Sequence, residues 1–449
     1  MRQHSDSGKH GSTFKALARS DSRSRFGLPI LLALMLCVCI GPAAGVANAW
    51  APKRAQVAEE ELSEEPLPEE PVADDDLPAE DAMPDDAERE PARIDEEPAA
   101  DTGSSGTAAY EKAYKLTASA KTYDDYTKII QLCKGALVNE SDEKLALYYR
   151  QLMSWALNRR GEVLADQNQN DEAMADFEDA INLNPQRWQA LHNRAVGYAM
   201  QGDYERALAD LDRTIEIKPD YANARFNRGE IYYEQGEFRR AIDDYNQAIR
   251  LSPRDSAAFN SRGHAYYKLK DYRQALRDYT DAIRLDPTNA AAYTNRGDAY
   301  ADKADFAKAS SDYRAAIRID PTLGRAYQSA AWLLATCPVD RFRDSKLAME
   351  AAQKAIELDG EDDYRYLDTL AAAYANAGDF QQARELQTKV VSLAPASEAE
   401  RYERRLALYR EDRPYRDTLQ TAAPTAQTEG RRAPTSRNTS PQRRQPRNL

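Results

Sequence analysis

Five arginines, Arg160, Arg194, Arg228, Arg262 and Arg296, are each followed sixteen residues later by an aspartate: Asp176, Asp210, Asp244, Asp278 and Asp312. A guanidinium and a carboxylate at a fixed offset can form a two-pronged ion pair, which positions chain segments and makes or breaks no covalent bond. Residue types suited to bond chemistry are sparse: past residue 10 the chain has two histidines, His192 and His264, separated by 72 residues. No H-E-x-x-H, G-x-S-x-G, C-x-x-C or phosphate-binding glycine loop occurs. The pattern argues against an enzyme, a metal centre or a cofactor, and points to recognition as the chemistry to expect.

A strict period places these pairs. Pro185, Pro219, Pro253, Pro287 and Pro321 stand 34 residues apart. Each closes a similar phrase, such as Leu183-Asn184-Pro185 or Leu285-Asp286-Pro287. Proline there stops a helix, because it lacks the N–H and clashes with the preceding turn. Residue 8 of each unit is small (Gly161, Ala195, Gly229, Gly263, Gly297) and residue 20 is Ala (Ala173, Ala207, Ala241, Ala275, Ala309). Residue 27 is Ala or, once, Thr (Ala180, Thr214, Ala248, Ala282, Ala316). Small residues let two antiparallel helices approach closely. Larger fillers lie between them: Leu164, Tyr198, Tyr232, Tyr266 and Tyr300 on the first helix, then Phe177, Leu211, Tyr245, Tyr279 and Tyr313 on the second. A unit this short cannot bury its own apolar face, so neighbours must stack into one core.

This order of G-x-x-Y, A-x-x-x-F and P is strongly similar to the tetratricopeptide repeat, or TPR. The resemblance implies an all-α, right-handed solenoid of about seven helical hairpins. Its regular repeats are 154–187, 188–221, 222–255, 256–289 and 290–323, followed by an irregular repeat 324–363, a repeat 364–397 and a capping helix 398–412. In the irregular repeat Ala326 to Thr336 reads as the first helix, Leu347 to Leu358 as the second and Cys337 to Asp344 as a lengthened turn. Upstream, Thr107 to Ser119 and Thr122 to Val138 read as a degenerate hairpin, and Ser141 as the cap of a long helix running into Trp155. The solenoid thus spans 107–412. A TPR usually has an apolar residue at position 7, so an arginine there needs a partner. In 364–397 both members of the pair are replaced together, by Leu370 and Leu386, as residues in contact would be. An Arg-to-Asp bridge is expected within each repeat or to its neighbour, specifying register more than adding stability, since desolvation offsets much of the attraction. The run Ala331 to Pro338, followed by Tyr364 to Leu370, resembles the end of TPR arrays in exported planctomycete-type bacterial proteins and implies a bacterial source.

The flanks differ in composition. Residues 51–106 carry 20 acidic side chains against four basic ones and eight prolines, too little apolar surface to order a core, so 50–106 reads as an acidic, Pro-rich disordered linker. Residues 413–449 carry eight arginines against Asp417 and Glu429 and read as a basic disordered tail; with no aromatic after Tyr415, nucleic acid is not the expected partner. Basic residues from Arg2 to Arg25 precede an apolar run from Leu28 to Ile40 and the site Ala47-Asn48-Ala49, the order of a secretory signal peptide over 1–49. The other reading is an uncleaved membrane anchor, since Leu28 to Val46 is 19 residues, although Gly41, Pro42 and Gly45 weaken its second half. Either reading puts the solenoid outside the cytoplasm, secreted or in the periplasm or envelope. Cys133 and Cys337, in hairpins far apart along the array, are expected as buried thiols without a disulfide.

The TPR resemblance also implies where a ligand would lie: on the concave face lined by first helices. Transferred to this chain, that face carries Asn193, Asn227 and Asn295 in one row, with Asn260, Tyr233, Tyr267, His264 and Glu230 beside it. The row is similar to the asparagine ladder of the TPR superhelix in O-GlcNAc transferase, where amides that both donate and accept grip a peptide main chain. Lys268 alone does not make the cationic clamp with which chaperone-binding TPRs hold acidic C-termini. With Glu162, Glu230, Glu234, Asp298 and Asp302 on the same face, a neutral or basic peptide with aromatic or apolar anchors is the expected ligand. The function so implied is a non-catalytic exported scaffold that binds extended peptide segments of a protein partner. The alternative is a membrane-anchored structural or assembly component of the cell envelope that acts by self-association.

Overall fold

Helices here begin where a side-chain oxygen can accept from the orphan N–H groups of a first turn. In the computed structural model, which describes residues 105–361 and 363–418, Thr122 opens a helix with a reciprocal capping box to Asp125. Asp203, Asp271 and Asp305 take the first-turn amides of second helices in three of the regular repeats. Asp142, not the expected Ser141, opens the long helix, accepting from Lys144 and Leu145. The readings of 1–49, of the linker up to residue 104 and of the tail from 419 lie outside the described residues. Every regular element among the described residues is helical.

The described chain divides at Pro253 into two units. The first holds α1 (Ser105–Thr117), α2 (Tyr123–Leu137), α3 (Glu143–Asp166), α4 (Asn170–Leu183), α5 (Trp188–Met200), α6 (Tyr204–Ile217), α7 (Ala222–Glu234) and α8 (Phe238–Leu251). The second holds α9 (Ser256–Lys268), α10 (Tyr272–Leu285), α11 (Ala290–Asp302), α12 (Phe306–Ile319), α13 (Gly324–Thr336), α14 (Ser345–Asp359), α15 (Tyr364–Ala377), α16 (Phe380–Leu393) and α17 (Ala396–Arg410). A short 3-10 turn, Asp340–Phe342, lies in the lengthened connection before α14. Within each unit every helix packs on the next, and first helices also touch the first helix of the following hairpin. Each unit is therefore a stack of TPR-type hairpins, an all-α solenoid architecture. Among the described residues no helix is long and apolar enough to cross a membrane.

The hairpins close because residue 8 lacks bulk. A Cβ at Gly161 would lie 2.6 Å from the Phe177 ring, at Gly229 2.8 Å from Tyr245, at Gly263 2.9 Å from Tyr279 and at Gly297 2.6 Å from Tyr313. The one repeat with Ala at this position, Ala195, faces the slimmer Leu211 in a shared cluster. The turn after the first helix of each regular repeat needs one residue in the left-handed region. Gly202 and Gly236 supply it at φ 78°, whereas Lys270 and Ala304 adopt it at φ 62° against the steric preference of a residue with a Cβ.

Two expectations shift at the ends. Helix α1 starts at Ser105, two residues before the solenoid was expected to begin. Residues 413–418, expected to belong to a disordered tail, pack back on the second unit: the Asp417 N–H donates to the Thr336 carbonyl at 2.9 Å. Averaging composition over the whole arginine-rich stretch hid this short anchored piece. Cys133 and Cys337 are free and buried, and burial pushes the Cys133 thiol up to about 12.

The packing at residue 8 gives a direct test. Gly229→Ala must displace the fully buried Tyr245 ring, so stability should fall by roughly 1–3 kcal/mol, the usual cost of overpacking a core. Urea denaturation followed by circular dichroism measures it.

Candidate functional site

All five arginine–aspartate pairs form two-pronged ion pairs between the helices of one hairpin. Arg160 meets Asp176 through Nε and Nη2, both at 2.7 Å. Arg194 meets Asp210 at 2.8 and 2.9 Å, and Arg228 meets Asp244 at 2.7 Å twice. In the second unit Arg262 meets Asp278 at 2.8 and 2.7 Å, and Arg296 meets Asp312 at 2.8 and 2.9 Å. The spare Nη1 of several arginines reaches the preceding hairpin: Arg160 to Thr127 at 3.1 Å, Arg228 to Asp212 at 2.6 Å and Arg296 to Thr280 at 3.3 Å. The hydrogen bond donated to its aspartate is the main influence holding the Arg160, Arg194 and Arg228 guanidiniums in the charged form against burial. In the last repeat Leu370 and Leu386 share an apolar cluster at the corresponding place.

The gap at residue 8 links the core to the first-helix face. In two repeats the second-helix tyrosine passes its ring over the glycine and its hydroxyl reaches the acidic residue that follows. Tyr245 donates to Glu230 at 2.6 Å, and Tyr313 donates to Asp298 at 2.9 Å. Phe177 has no hydroxyl to offer, and Glu162 instead accepts from Asn158 at 2.7 Å, Asn193 at 3.1 Å and Arg159 at 2.6 Å.

The asparagines expected to line a ligand groove are bonded along the stack. In the first unit Asn193 donates to Asn158 at 3.1 Å, and the Asn227 amide lies 2.9 Å from His192 Nε2. In the second unit Asn295 donates to Asn260 at 3.0 Å and Tyr267 donates to Asp302 at 2.8 Å. All four pairs are 35 residues apart. One repeat plus one residue is the diagonal step between adjacent first helices, and searching the sequence for polar residues at that step would have found the pairs. Tyr233 packs its ring 5.3 Å from Phe238, and His264 lies 6.4 Å from Tyr267. Burial drives the His192 imidazole down to about 4 and that of His264 to about 3.

The second unit holds a cavity of about 470 Å³ that the periodic reading did not locate, bordered by Tyr267, Asp302, Arg325, Trp332, Arg405 and Asp417. Arg325 pairs with Asp298, and Arg405 with the buried Asp368. Arg365 and Arg401 line it as well. Arg365, Arg401 and Arg405 follow the lengthened connection after Thr336, where the 34-residue register breaks, so projecting positions from the regular repeats passes over them; Arg325 is still in register, on a first helix that starts 34 residues after the one before it. The face is thus cationic as well as anionic at this end, unlike the mainly acidic face expected. Among the described residues no cluster of histidine, cysteine and carboxylate could hold a metal ion.

Family models for the TPR repeat match residues 197–236, 229–270 and 263–303, and for the tetratricopeptide repeat residues 156–187, 290–323 and 364–397. A comparison with curated proteins finds no match. Among solved structures the chain is similar to YrrB, described as a TPR protein with an unusual peptide-binding site (20% identity, 45% of this chain, 95% of that one, TM-score 0.36). It is also similar to yeast Tom70 (19% identity, 69% of this chain, 65% of that one, TM-score 0.40). A third is MamA of Desulfovibrio magneticus RS-1 (16% identity, 38% of this chain, 96% of that one, TM-score 0.35).

Two measurements test the polar framework. Arg262→Leu leaves the Asp278 carboxylate buried without its partner and should cost about 3–5 kcal/mol, whereas Arg262→Leu with Asp278→Leu, copying the last repeat, should recover most of that loss. Denaturant titration of both variants decides it. The histidine shift carries a definite sign: an unfolded imidazole titrates near 6.5, the folded His192 near 4, so the unfolded chain binds the extra proton and stability falls as pH drops through that window. From pH 7 to pH 5 the wild type should lose about 2 kcal/mol more than His192→Gln, read from urea unfolding at the two pH values.

Proposed function

Because the chain belongs to the tetratricopeptide-repeat proteins, we propose that it is a non-catalytic exported scaffold that holds a protein partner through extended peptide segments. The observation that carries the reading is a polar band on the first helices of each unit: Asn158, Asn193, Asn227 and Glu230 in one, and Asn260, Asn295, Asp298 and Asp302 in the other. Asn158, Asn227, Glu230 and Asn260 are buried and anchor the band, whereas the half-buried Asn193, Asn295, Asp298 and Asp302 keep hydrogen-bonding capacity that suits an extended main chain. Fixing them beforehand removes side-chain ordering from the cost of binding. The basic leader, apolar run and Ala47-Asn48-Ala49 site support the exported part of the reading.

The test is affinity capture from envelope extracts with the full chain, beside a variant carrying Asn193→Ala, Asn227→Ala and Asn295→Ala whose fold is checked by a melting curve. Loss of a specific partner from a folded variant is the expected result. Equal capture by both proteins would move binding to another face and overturn the groove mechanism.

A further inference from the structure

Residues 413–418 leave the end of α17 without regular secondary structure and lie against the second unit in the way a bound peptide would. The Asp417 carboxylate accepts from the Trp332 indole N–H and the Thr336 hydroxyl, each at 2.8 Å, while its main-chain N–H reaches the Thr336 carbonyl at 2.9 Å. Two residues earlier the Tyr415 ring packs 5.9 Å from Trp332, with the Arg405 guanidinium 4.6 Å from its centre. Between them Arg416 donates to the Ala335 carbonyl at 3.0 Å and to the Asn376 amide oxygen at 2.8 Å. The receptor side is rigid, because Arg405 is pinned by the buried Asp368 and also covers Trp332 at 4.5 Å.

We propose that 413–418 is an internal ligand, and that the site it fills takes from a partner protein an extended segment with an aromatic residue two positions before a carboxylate. The inference rests on the scaffold reading and names the kind of segment that this part of the scaffold selects. Three features make the occupant exchangeable. None of the six residues is fully buried, and Tyr415 is the one large apolar side chain among them that packs on the core, so the apolar surface exposed on leaving is confined to one ring and its contacts. The recognised groups are one main-chain amide, one carboxylate and one ring, which any chain of that pattern supplies. The cavity continues past Asp417 to Tyr267 and Asp302, giving a longer segment contacts beyond its carboxylate. The helix end at Arg410 is three residues from Arg413, and a tether so short holds the internal segment at an effective concentration on the order of millimolar. Partner affinity is then reduced by the fraction of molecules in which the site is self-occupied.

The experiment uses the full chain, its Tyr415→Ala, Asp417→Ala double variant and the milder Asp417→Asn variant, which keeps the shape of the segment. The probe is a fluorescein-labelled peptide of residues 411–420, with a second copy in which Asp417 is alanine, and anisotropy is the readout. The double variant should bind the probe about tenfold or more tighter than wild type, with Asp417→Asn between them, and the alanine probe should lose about tenfold in affinity. Equal binding by all three proteins, binding by none, or indifference to the alanine in the probe would each overturn the proposal and make 413–418 a fixed structural cap. A double variant that binds the probe while the full chain captures no partner from extracts would count against the scaffold reading and leave the self-occupied site standing.

Discussion

The close approach of the two helices at residue 8 is the constraint on which the other features depend. With no Cβ on the first helix at Gly161, Gly229, Gly263 and Gly297, an aromatic ring from the second helix can lie across its backbone. That contact sets the helix separation, and the separation decides which polar groups can meet across the hairpin. The arginine one residue before the small residue lies at the right distance for its fork to close on the aspartate of the second helix. Buried pairs of this kind give little net stability, since desolvation offsets their attraction. They do penalise a helix that rotates or slips, because one charge would then be buried alone.

The same approach couples the core to the face a ligand would meet. Where an acid follows the glycine, a tyrosine at the crossing sends its hydroxyl through to it, as at Glu230 and Asp298, and a phenylalanine does not. At Glu162, opposite Phe177, the carboxylate is instead taken up by asparagines of its own and the next repeat. A single oxygen atom in the core therefore decides whether the first-helix carboxylate is bonded across its own hairpin or along the stack.

How much of this the sequence discloses follows from how each feature is encoded. The period, the small residues and the arginine–aspartate offset repeat in register, and joint replacement by Leu370 and Leu386 marks the two as one unit before any distance is known. The bonds among Asn158, Asn193, His192 and Asn227 were harder to foresee, because single-residue positions in a repeat predict a face but not the diagonal step between neighbouring helices. The end of the second unit was the least legible. Beyond Thr336 the connection lengthens, so Arg365, Arg401 and Arg405 fall out of register, and Asp417 was absorbed into a stretch whose average composition reads as tail. Ser141 and Asp142 are both sound caps by residue type, and only the backbone entering α3 separates them.

The spare nitrogen on the repeated arginines has a consequence for how the protein comes apart. Arg160, Arg228 and Arg296 each fork onto their own hairpin while also holding a group on the one before it. In a linear array, cooperativity is set by the energy of each junction relative to that of each element. A side chain shared across a junction shifts weight to that term, so an inner hairpin cannot melt without stripping its neighbour of a bond. Within each unit, loss of structure should advance inward from an end, which leaves the interior segments the slowest to exchange their amide hydrogens and the slowest to be cut by a protease.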